Sequence, residues 1–276
     1  MIKDVLVALP VAPRSAAAID YAISVAATFD AHLTGLAFVY EPVVPGTVFD
    51  GLTADIVATY RAQNLKAGEA AVARFNDAAR RAGALVESHL VEAGLVVISE
   101  MFDRYARHFD LTVIGQPEPG QTDPQEIFPE STLFGSGRPV LVVPYIQKTG
   151  IKLDKVMVCW DGSRAAARAL GDAMPLLAQA KSIDVVTMRD KEGPRDELPG
   201  VDIAHHLARH NLKVDYKRIV AKGTDVASAI LSTSADLDSD LIVMGGYGHS
   251  RVREFILGGA TRGILNAMTV PVLMSH

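Results

Sequence analysis

The sequence of 276 residues has a single cysteine, few aromatic side chains and no long hydrophobic run. The one cysteine, Cys159, excludes a framework of internal disulfides and favours a reducing compartment. No apolar run approaches the roughly 20 residues that span a bilayer. Residues 1–4 lead directly into a predicted strand without a signal-peptide pattern. We therefore expect a cytoplasmic protein that does not enter a membrane.

An excess of positive charge is also missing. The net charge is −5, whereas a nucleic-acid-binding protein would favour a basic face, so we expect no nucleic-acid partner. Hydrophobic residues make up 49% of the chain and charged residues 21%, which predicts a well-filled core rather than disorder.

Short apolar runs alternate with helical patterns along the chain, which predicts a parallel sheet covered by helices on both faces. In the first half we predict strands at Lys3–Leu9, His32–Tyr40, Leu85–Glu92, Leu111–Gly115 and Pro139–Val143. Helices are predicted at Ala16–Phe29, with Ser15 as the cap, and at Thr53–Ala82, Val96–His108 and, at most briefly, Ser131–Gly137. The proline-rich segment Gln116–Pro129 is predicted to be a loop.

The second half repeats the order of the first. The run Lys155–Trp160 parallels Asp4–Leu9, and Asp240–Gly245 parallels Asp110–Gly115. An internal duplication is the simplest account. It predicts two tandem doubly wound domains with five-stranded parallel sheets, at residues 1–146 and 153–276, with a linker around Tyr145–Leu153.

One stretch of the second half has the composition of a phosphate site. The buried strand Leu241–Met244 runs into Gly245, Gly246 and Gly248, where the backbone can approach a ligand. After nine further residues, Gly258 and Gly259 open a predicted helix at Ala260–Met268. A helix N-terminus attracts anions, so strand, glycine loop and helix start together predict phosphate binding.

Ligands of such folds bind beyond the carboxyl ends of the strands, at the point where strand order reverses. Asp161, Met188 and Gly245 all follow predicted strands, so we expect them to line one crevice. Asp161 could instead be a turn residue or a helix cap. Core packing is the simpler explanation for Cys159 and Trp160, which we count with the site, and His249 and Ser250 could be solvated loop residues.

These motifs resemble those of a tandem universal stress protein, a family with an adenine-nucleotide alpha-hydrolase-like fold. Its nucleotide-binding members carry G-x2-G-x9-G-[S/T], and the spacing from Gly245 to Gly258 is similar, although Gly259 replaces the final Ser or Thr. The resemblance implies an intrachain pseudo-dimer of the two domains. It also implies contacts of Asp161 with ribose or adenine and of Met188 and Met244 with adenine. The residues that it places near the phosphates are Gly248, His249, Ser250, Gly258, Gly259, Ala260 and Thr261.

We therefore expect a stress-response or regulatory protein that binds ATP, AMP or ADP in the C-terminal domain, with Mg²⁺ at the phosphates. The alternatives are a slow ATP-cleaving or nucleotide-transferring enzyme and a scaffold without a ligand. No catalytic residue is predicted, because no nucleophile and base stand at a recognisable spacing and the lysine of a P-loop is missing. A homodimer and an unidentified protein partner are left open.

Two further features complete the expectations. His205, His206 and His210 could offer a pair of zinc ligands, but a solvated or capping cluster is favoured and no metal site is predicted. In the first domain Pro10 stands where the second has Asp161, and Glu118 where it has Gly248. Glu126 and Ile127 match the glycine pair. We expect no nucleotide there and a crevice that is filled or repurposed.

Overall fold

The computed structural model describes residues 1–11, 16–41, 54–94, 97–118, 124–189, 202–220, 224–246 and 259–276. The chain divides into two compact units. The first unit comprises Met1–Arg138 and Lys148–Gly150, and the second comprises Pro139–Gln147 and Ile151–His276.

In the first unit, strands and helices alternate along the chain. They are β1 (Asp4–Leu9), α1 (Ala17–Phe29), β2 (His32–Glu41), α2 (Ala54–Ala82), β3 (Val86–Gly94), α3 (Ile98–Ala106), β4 (Leu111–Gly115) and α4 (Phe128–Gly135). The strands that the structure describes lie in the order β3-β2-β1-β4, and every pair is parallel. The middle of β1 is fully buried, as expected for a strand covered on both faces.

The second unit repeats this arrangement and has two further strands. Its elements are β5 (Val140–Val143), β6 (Lys155–Cys159), α5 (Arg164–Leu177), β7 (Ser182–Arg189), α6 (Ile203–Arg209), β8 (Val214–Val220), α7 (Val226–Asp236), β9 (Leu241–Gly245), α8 (Ala260–Ala267) and β10 (Val272–Ser275). The strand order is β5-β10-β9-β6-β7-β8. All the described pairs within it are parallel except β5 with β10. The predicted α/β class with a parallel sheet is therefore confirmed.

The pairing of β5 with β10 explains how the chain divides. Val142 lies opposite Val272 and Leu141 opposite Leu273, so the last strands of the two repeats pair antiparallel. Because of this pairing, residues 139–147 group with the second unit, whereas the sequence analysis placed residues 139–146 at the end of a first domain.

The helix before β5 begins earlier than predicted. The sequence suggested a loop up to Pro129 and a helix from Ser131, but α4 starts at Phe128 after a 3-10 turn at Pro124–Ile127. Pro129 lies in the first turn of the helix, where a missing N–H costs nothing. The proline count of this segment therefore misled the prediction. The predicted cap Ser15 lies outside the described residues, and α1 follows Ala16, which has no capping side chain.

A pair of matching contacts supports the duplication. The Asp110 carboxylate accepts the backbone N–H of Asp4 at 3.2 Å, and the Asp240 carboxylate accepts that of the matching residue, Lys155, at 3.0 Å. An equivalent aspartate hydrogen bond thus holds the start of the first strand in each repeat. None of the helices in the described ranges is long and apolar enough to cross a membrane.

Candidate functional site

Strand order places the predicted site residues of the second unit at one edge of its sheet. From β6 the chain runs to β7 and β8 on one side, and β9 lies on the other, so strand order reverses between β6 and β9. Both strands are parallel and in register, with Val158 beside Val243. Cys159 ends β6, with Trp160 and Asp161 directly after it, and Met244 and Gly245 end β9. They therefore lie at the switch point where α/β sheets bind ligands.

Met188 belongs to the same edge. Cys159 pairs with Val186, and the backbone N–H of Trp160 donates to the Val186 carbonyl at 2.8 Å. Two residues further along, this register brings Asp161 level with Met188. Trp160 and Met188 are both half-buried. The structure therefore brings together the residues that the resemblance assigns to the nucleoside.

Asp161 forms the turn that leads into α5. Its Oδ1 accepts the backbone N–H of Ser163 at 2.8 Å, and Gly162 between them adopts a φ of 78°. Ser163 then caps α5, because its Oγ accepts the N–H of Ala166 at 3.1 Å. The turn role of Asp161 that the sequence left open is thus present, and its side chain is still exposed to solvent at the sheet edge.

Gly245 is needed for packing against α5. A Cβ atom at this position would lie 2.5 Å from the backbone N of Ala166 and 2.6 Å from the backbone C of Ala165. Such distances are too short for non-bonded atoms, and backbone atoms cannot turn aside as a side chain can. The close backbone approach that the sequence suggested for a ligand is therefore made, at Gly245, to the first turn of a helix.

The next residue, Gly246, is held by the strand beside it. Its N–H donates to the Ser275 carbonyl at 2.9 Å, and its own carbonyl lies 3.0 Å from His276 Nδ1. Gly246 is buried. Both the N–H and the carbonyl of Gly246, the residue after β9, are therefore held by hydrogen bonds.

The helix predicted to face the phosphates is present. Gly259 precedes α8 with no side-chain cap, Ala260 is its first residue and Thr261 is buried at 2% exposure. Gly263 packs closely against Ala227, which fixes α8 on α7. The other predicted phosphate contacts lie outside the described residues: Gly248, His249, Ser250 and Gly258.

Electrostatics make the thiol beside this edge unreactive. Burial, together with the nearby Asp161 carboxylate, raises the pKa of Cys159 to about 12. The thiol therefore stays protonated at neutral pH, and a thiolate is not available as a nucleophile.

The three histidines in and after α6 contact either the residue that caps the helix or one another. Asp202 caps the helix through the backbone N–H of His205 at 2.8 Å, and its other oxygen lies 2.9 Å from His205 Nδ1. The rings of His206 and His210 meet edge to face, with centroids 4.9 Å apart. Among the residues that the structure describes, no group of three or more His, Cys, Asp or Glu side chains is arranged to hold a metal ion.

In the first unit, two side chains bond to the carboxyl end of β1, which corresponds to the end of β6 in the second unit. Gln125 Nε2 donates to the Leu9 carbonyl at 3.1 Å, and Arg74 donates to the Pro10 carbonyl at 2.9 Å. The Leu9 carbonyl ends β1 and the Pro10 carbonyl follows it, and these residues match Trp160 and Asp161 at the end of β6. The carboxyl end of β1 is therefore covered by the 3-10 turn and by α2.

A cluster of three phenylalanines fills the neighbouring positions. Leu9 pairs with Ala37, so Pro10 is level with Phe38, as Asp161 is with Met188. Phe128 begins α4 as Ala260 begins α8. Phe38 and Phe128 are fully buried with ring centroids 5.7 Å apart, and Phe102 stacks on Phe128 at 4.6 Å. Aromatic rings thus occupy the positions that match two predicted nucleotide contacts.

Sequence reasoning missed several residues of these two edges. The capping role of Ser163 could have been found, because the residue directly precedes an alanine-rich helical pattern that begins at Arg164. Arg74, Gln125 and His276 carried no local signal, since each contacts a carbonyl 30 or more positions away in the chain.

Comparison with known proteins agrees with this architecture. The sequence model described as the Universal stress protein family matches residues 152–276. A universal stress protein of Synechocystis sp. is 27% identical over 139 residues, which are 49% of this chain and 46% of that relative. The match thus spans about half the length of this curated relative. A crystal structure of a universal stress protein from Archaeoglobus fulgidus has a TM-score of 0.73 at 16% identity, and the match covers 99% of this chain and 95% of that one.

The structural match extends over both units, whereas the family's sequence pattern is found in the second. This agrees with the loss of the glycine pattern in the first repeat, where Glu118 and Glu126 replace glycines. The resemblance stated from the sequence is confirmed by the universal stress protein family model that matches residues 152–276.

Proposed function

We propose that the second unit binds ATP, AMP or ADP across the ends of β6, β7 and β9, with Mg²⁺ at the phosphates, and that the protein is a cytoplasmic stress-response regulator. One observation carries the proposal. Side chains cap the other described helices of this unit, through Ser163, Asp202 and Asp225, whereas α8 begins at Gly259 without a side-chain cap. A helix start of this kind, after a glycine pattern, suits an anion in the place of the cap.

The residues suited to the nucleoside lie at the ends of β6 and β7. Asp161 is exposed and oriented by its bond to Ser163, so its carboxylate can accept hydrogen bonds from ribose hydroxyls or from an amine. Met188 and Trp160 are half-buried at the same edge and offer apolar surface to a base. Asp161 and Met188 therefore suit the nucleoside, and the start of α8 suits the phosphates.

The first unit supports a stoichiometry of one nucleotide per chain. Its carbonyls at the end of β1 accept hydrogen bonds from Gln125 and Arg74, and Phe38 and Phe128 occupy the matched positions. Pro10 carries no polar side-chain atom where Asp161 carries a carboxylate.

Any hydrolysis should be slow. In the described part of the edge, Asp161 is exposed and already holds a turn, and Cys159 is protonated because of its raised pKa of about 12. Neither residue suits the role of a strong base beside a phosphate. We expect turnover far below the roughly 1–100 s⁻¹ of kinases. A rate within that range, abolished by a substitution at Asp161, would favour the enzyme alternative.

Titration calorimetry with MgATP tests the proposal, and the fluorescence of Trp160, the single tryptophan, gives a second readout. Asp161→Ala should weaken binding at least tenfold, because both the turn and the carboxylate are lost. Asp161→Asn keeps an oxygen for the Ser163 N–H and therefore keeps the turn. A weaker affinity in that variant would measure the effect of the lost negative charge alone. Gly248→Val should also weaken binding by blocking the approach of backbone to phosphate.

Asp77→Ala, at an exposed position of α2 paired with Arg80, is the control. No heat and no fluorescence change with MgATP, AMP or ADP would refute the proposal. Two equivalent sites per chain would refute the assignment to the second unit alone.

A further inference from the structure

His276 bonds to the backbone at the exit of β9. Its Nδ1 lies 3.0 Å from the carbonyl oxygen of Gly246. A carbonyl oxygen can only accept, so Nδ1 carries the proton and donates it. The imidazole therefore holds the last described peptide before the glycine pattern continues.

Four contacts act together on these two glycines. Gly245 pairs with Ser275 in the parallel register of β9 and β10 and lies against the backbone of Ala165 and Ala166. Gly246 donates its N–H to the Ser275 carbonyl at 2.9 Å. The contact from His276 restrains the other side of Gly246. Because a peptide unit is planar, holding this carbonyl fixes the direction in which the chain leaves the strand.

The first repeat lacks this donor. Counting from the proline shared by both repeats, Pro139 and Pro271, the residue that matches His276 is Pro144, which has neither a side-chain donor nor a backbone N–H. The donor therefore occurs in the repeat that keeps the glycine pattern and not at the matched position of the repeat that lost it.

We propose that His276 is a positioning residue for the phosphate end of the nucleotide site. The inference rests on the proposed function: the hydrogen bond holds the Gly246 peptide, from which the glycine pattern continues, and it does not involve Asp161 or Met188 at the nucleoside end. Loss of the bond should therefore lower the affinity for ATP and not the affinity for adenosine.

The experiment compares three substitutions in the full chain. His276→Ala removes the donor, and His276→Gln moves the amide nitrogen one bond further from the backbone. His276→Asn places an amide nitrogen at the same number of bonds from Cα as Nδ1 of histidine, so the donor is kept. We expect the affinity for MgATP to fall about fivefold in the Ala and Gln variants, the size of one lost hydrogen bond. It should stay within about twofold of the parent in the Asn variant, with adenosine affinity unchanged in all three. His108→Ala, an exposed histidine of the first unit, is the control.

A second measurement does not depend on nucleotide. Amide hydrogen exchange in the peptide spanning residues 245–258 should be faster in His276→Ala than in the parent and restored in His276→Asn. Unchanged exchange together with unchanged ATP affinity would overturn the proposal. An equal loss for ATP and adenosine, or an Asn variant as weak as Ala, would also overturn it. A parent that binds no nucleotide would instead defeat the proposed function, while the exchange comparison would still decide whether His276 holds the backbone.

Discussion

At the scale of single residues, the same glycine in two repeats has different roles. Gly245 ends β9 with Ala165 and Ala166 of α5 pressed against it, whereas Gly115 ends β4 with its nearest neighbour, Ala18 Cβ, at an ordinary 3.6 Å from an added Cβ. Both positions follow an Asp and a buried apolar run, so sequence alone does not separate them.

We expect Gly245→Ala to lower the free energy of unfolding by about 1–3 kcal/mol, the usual cost of overpacking, because the added Cβ would meet backbone atoms. Gly115→Ala is the matched control and should change the stability little. Urea denaturation of both variants without nucleotide measures the difference. Equal stabilities would show that α5 does not require a glycine at position 245.

Cys159 provides a prediction about reactivity. Its folded-state pKa of about 12 exceeds the ordinary 9.0, mainly because of burial and partly because of Asp161. At pH 8 the thiolate fraction should be about three orders of magnitude lower than in the unfolded chain, and alkylation by iodoacetamide correspondingly slower. Because the pKa is raised, the stability contributed by the neutral thiol is present below pH 9 and is lost as the pH rises toward 12.

Alkylation rates in native and urea-unfolded protein test this prediction for the single thiol. Rapid labelling of the native protein at pH 8 would contradict a buried, protonated sulfur. A serine substitution, which cannot be alkylated, gives the background rate.

At the scale of elements, the first unit is organised around its phenylalanine cluster. Phe38 from β2, Phe102 from α3 and Phe128 from α4 bring one strand and two helices to a common point, and all three rings are fully buried. The neighbouring Ile127 is 47% exposed. Adjacent residues at the start of α4 thus differ sharply in burial.

Phe128→Ala should lower the free energy of unfolding by about 3–5 kcal/mol, since it leaves a cavity beside two rings. Ile127→Ala should stay within about 0.5 kcal/mol, as for most surface changes. Chemical denaturation followed by circular dichroism compares the two variants. A similar small loss in both would mean that the cluster contributes little to the fold of the unit.

At the scale of the whole molecule, β5 decides where the second unit begins. The family pattern starts at residue 152, but the compact unit also contains Pro139–Gln147. Val140, Leu141, Val142 and Val143 are each at most 1% exposed in the full chain, and β5 pairs along β10.

A fragment of residues 151–276 should therefore be less stable than a fragment of residues 139–276, by at least about 2 kcal/mol, because β10 loses its partner and its edge is left open. Thermal and urea denaturation at equal concentration measure the difference. Equal midpoints for the two fragments would show that the pairing with β5 adds nothing to the second unit.

The sequence by itself determined the features that depend on neighbouring residues. Apolar runs such as Leu111–Gly115 and Leu241–Gly245 had to be buried strands, and their alternation with helices implied a parallel sheet. The carboxyl ends of parallel strands share one edge, so the convergence of Asp161, Met188 and Gly245 also followed from the sequence. The glycine pattern suggested the resemblance to universal stress proteins before any comparison.

The tertiary structure alone decided which distant groups meet. Gln125 and Arg74 reach the end of β1 from 116 and 64 positions away, and His276 reaches Gly246 from 30. The same holds for β5 beside β10 and for α5 against Gly245. Such contacts depend on strand order, register and the depth at which a helix packs. These properties arise when many weak local preferences are satisfied together, and no short stretch of sequence encodes them.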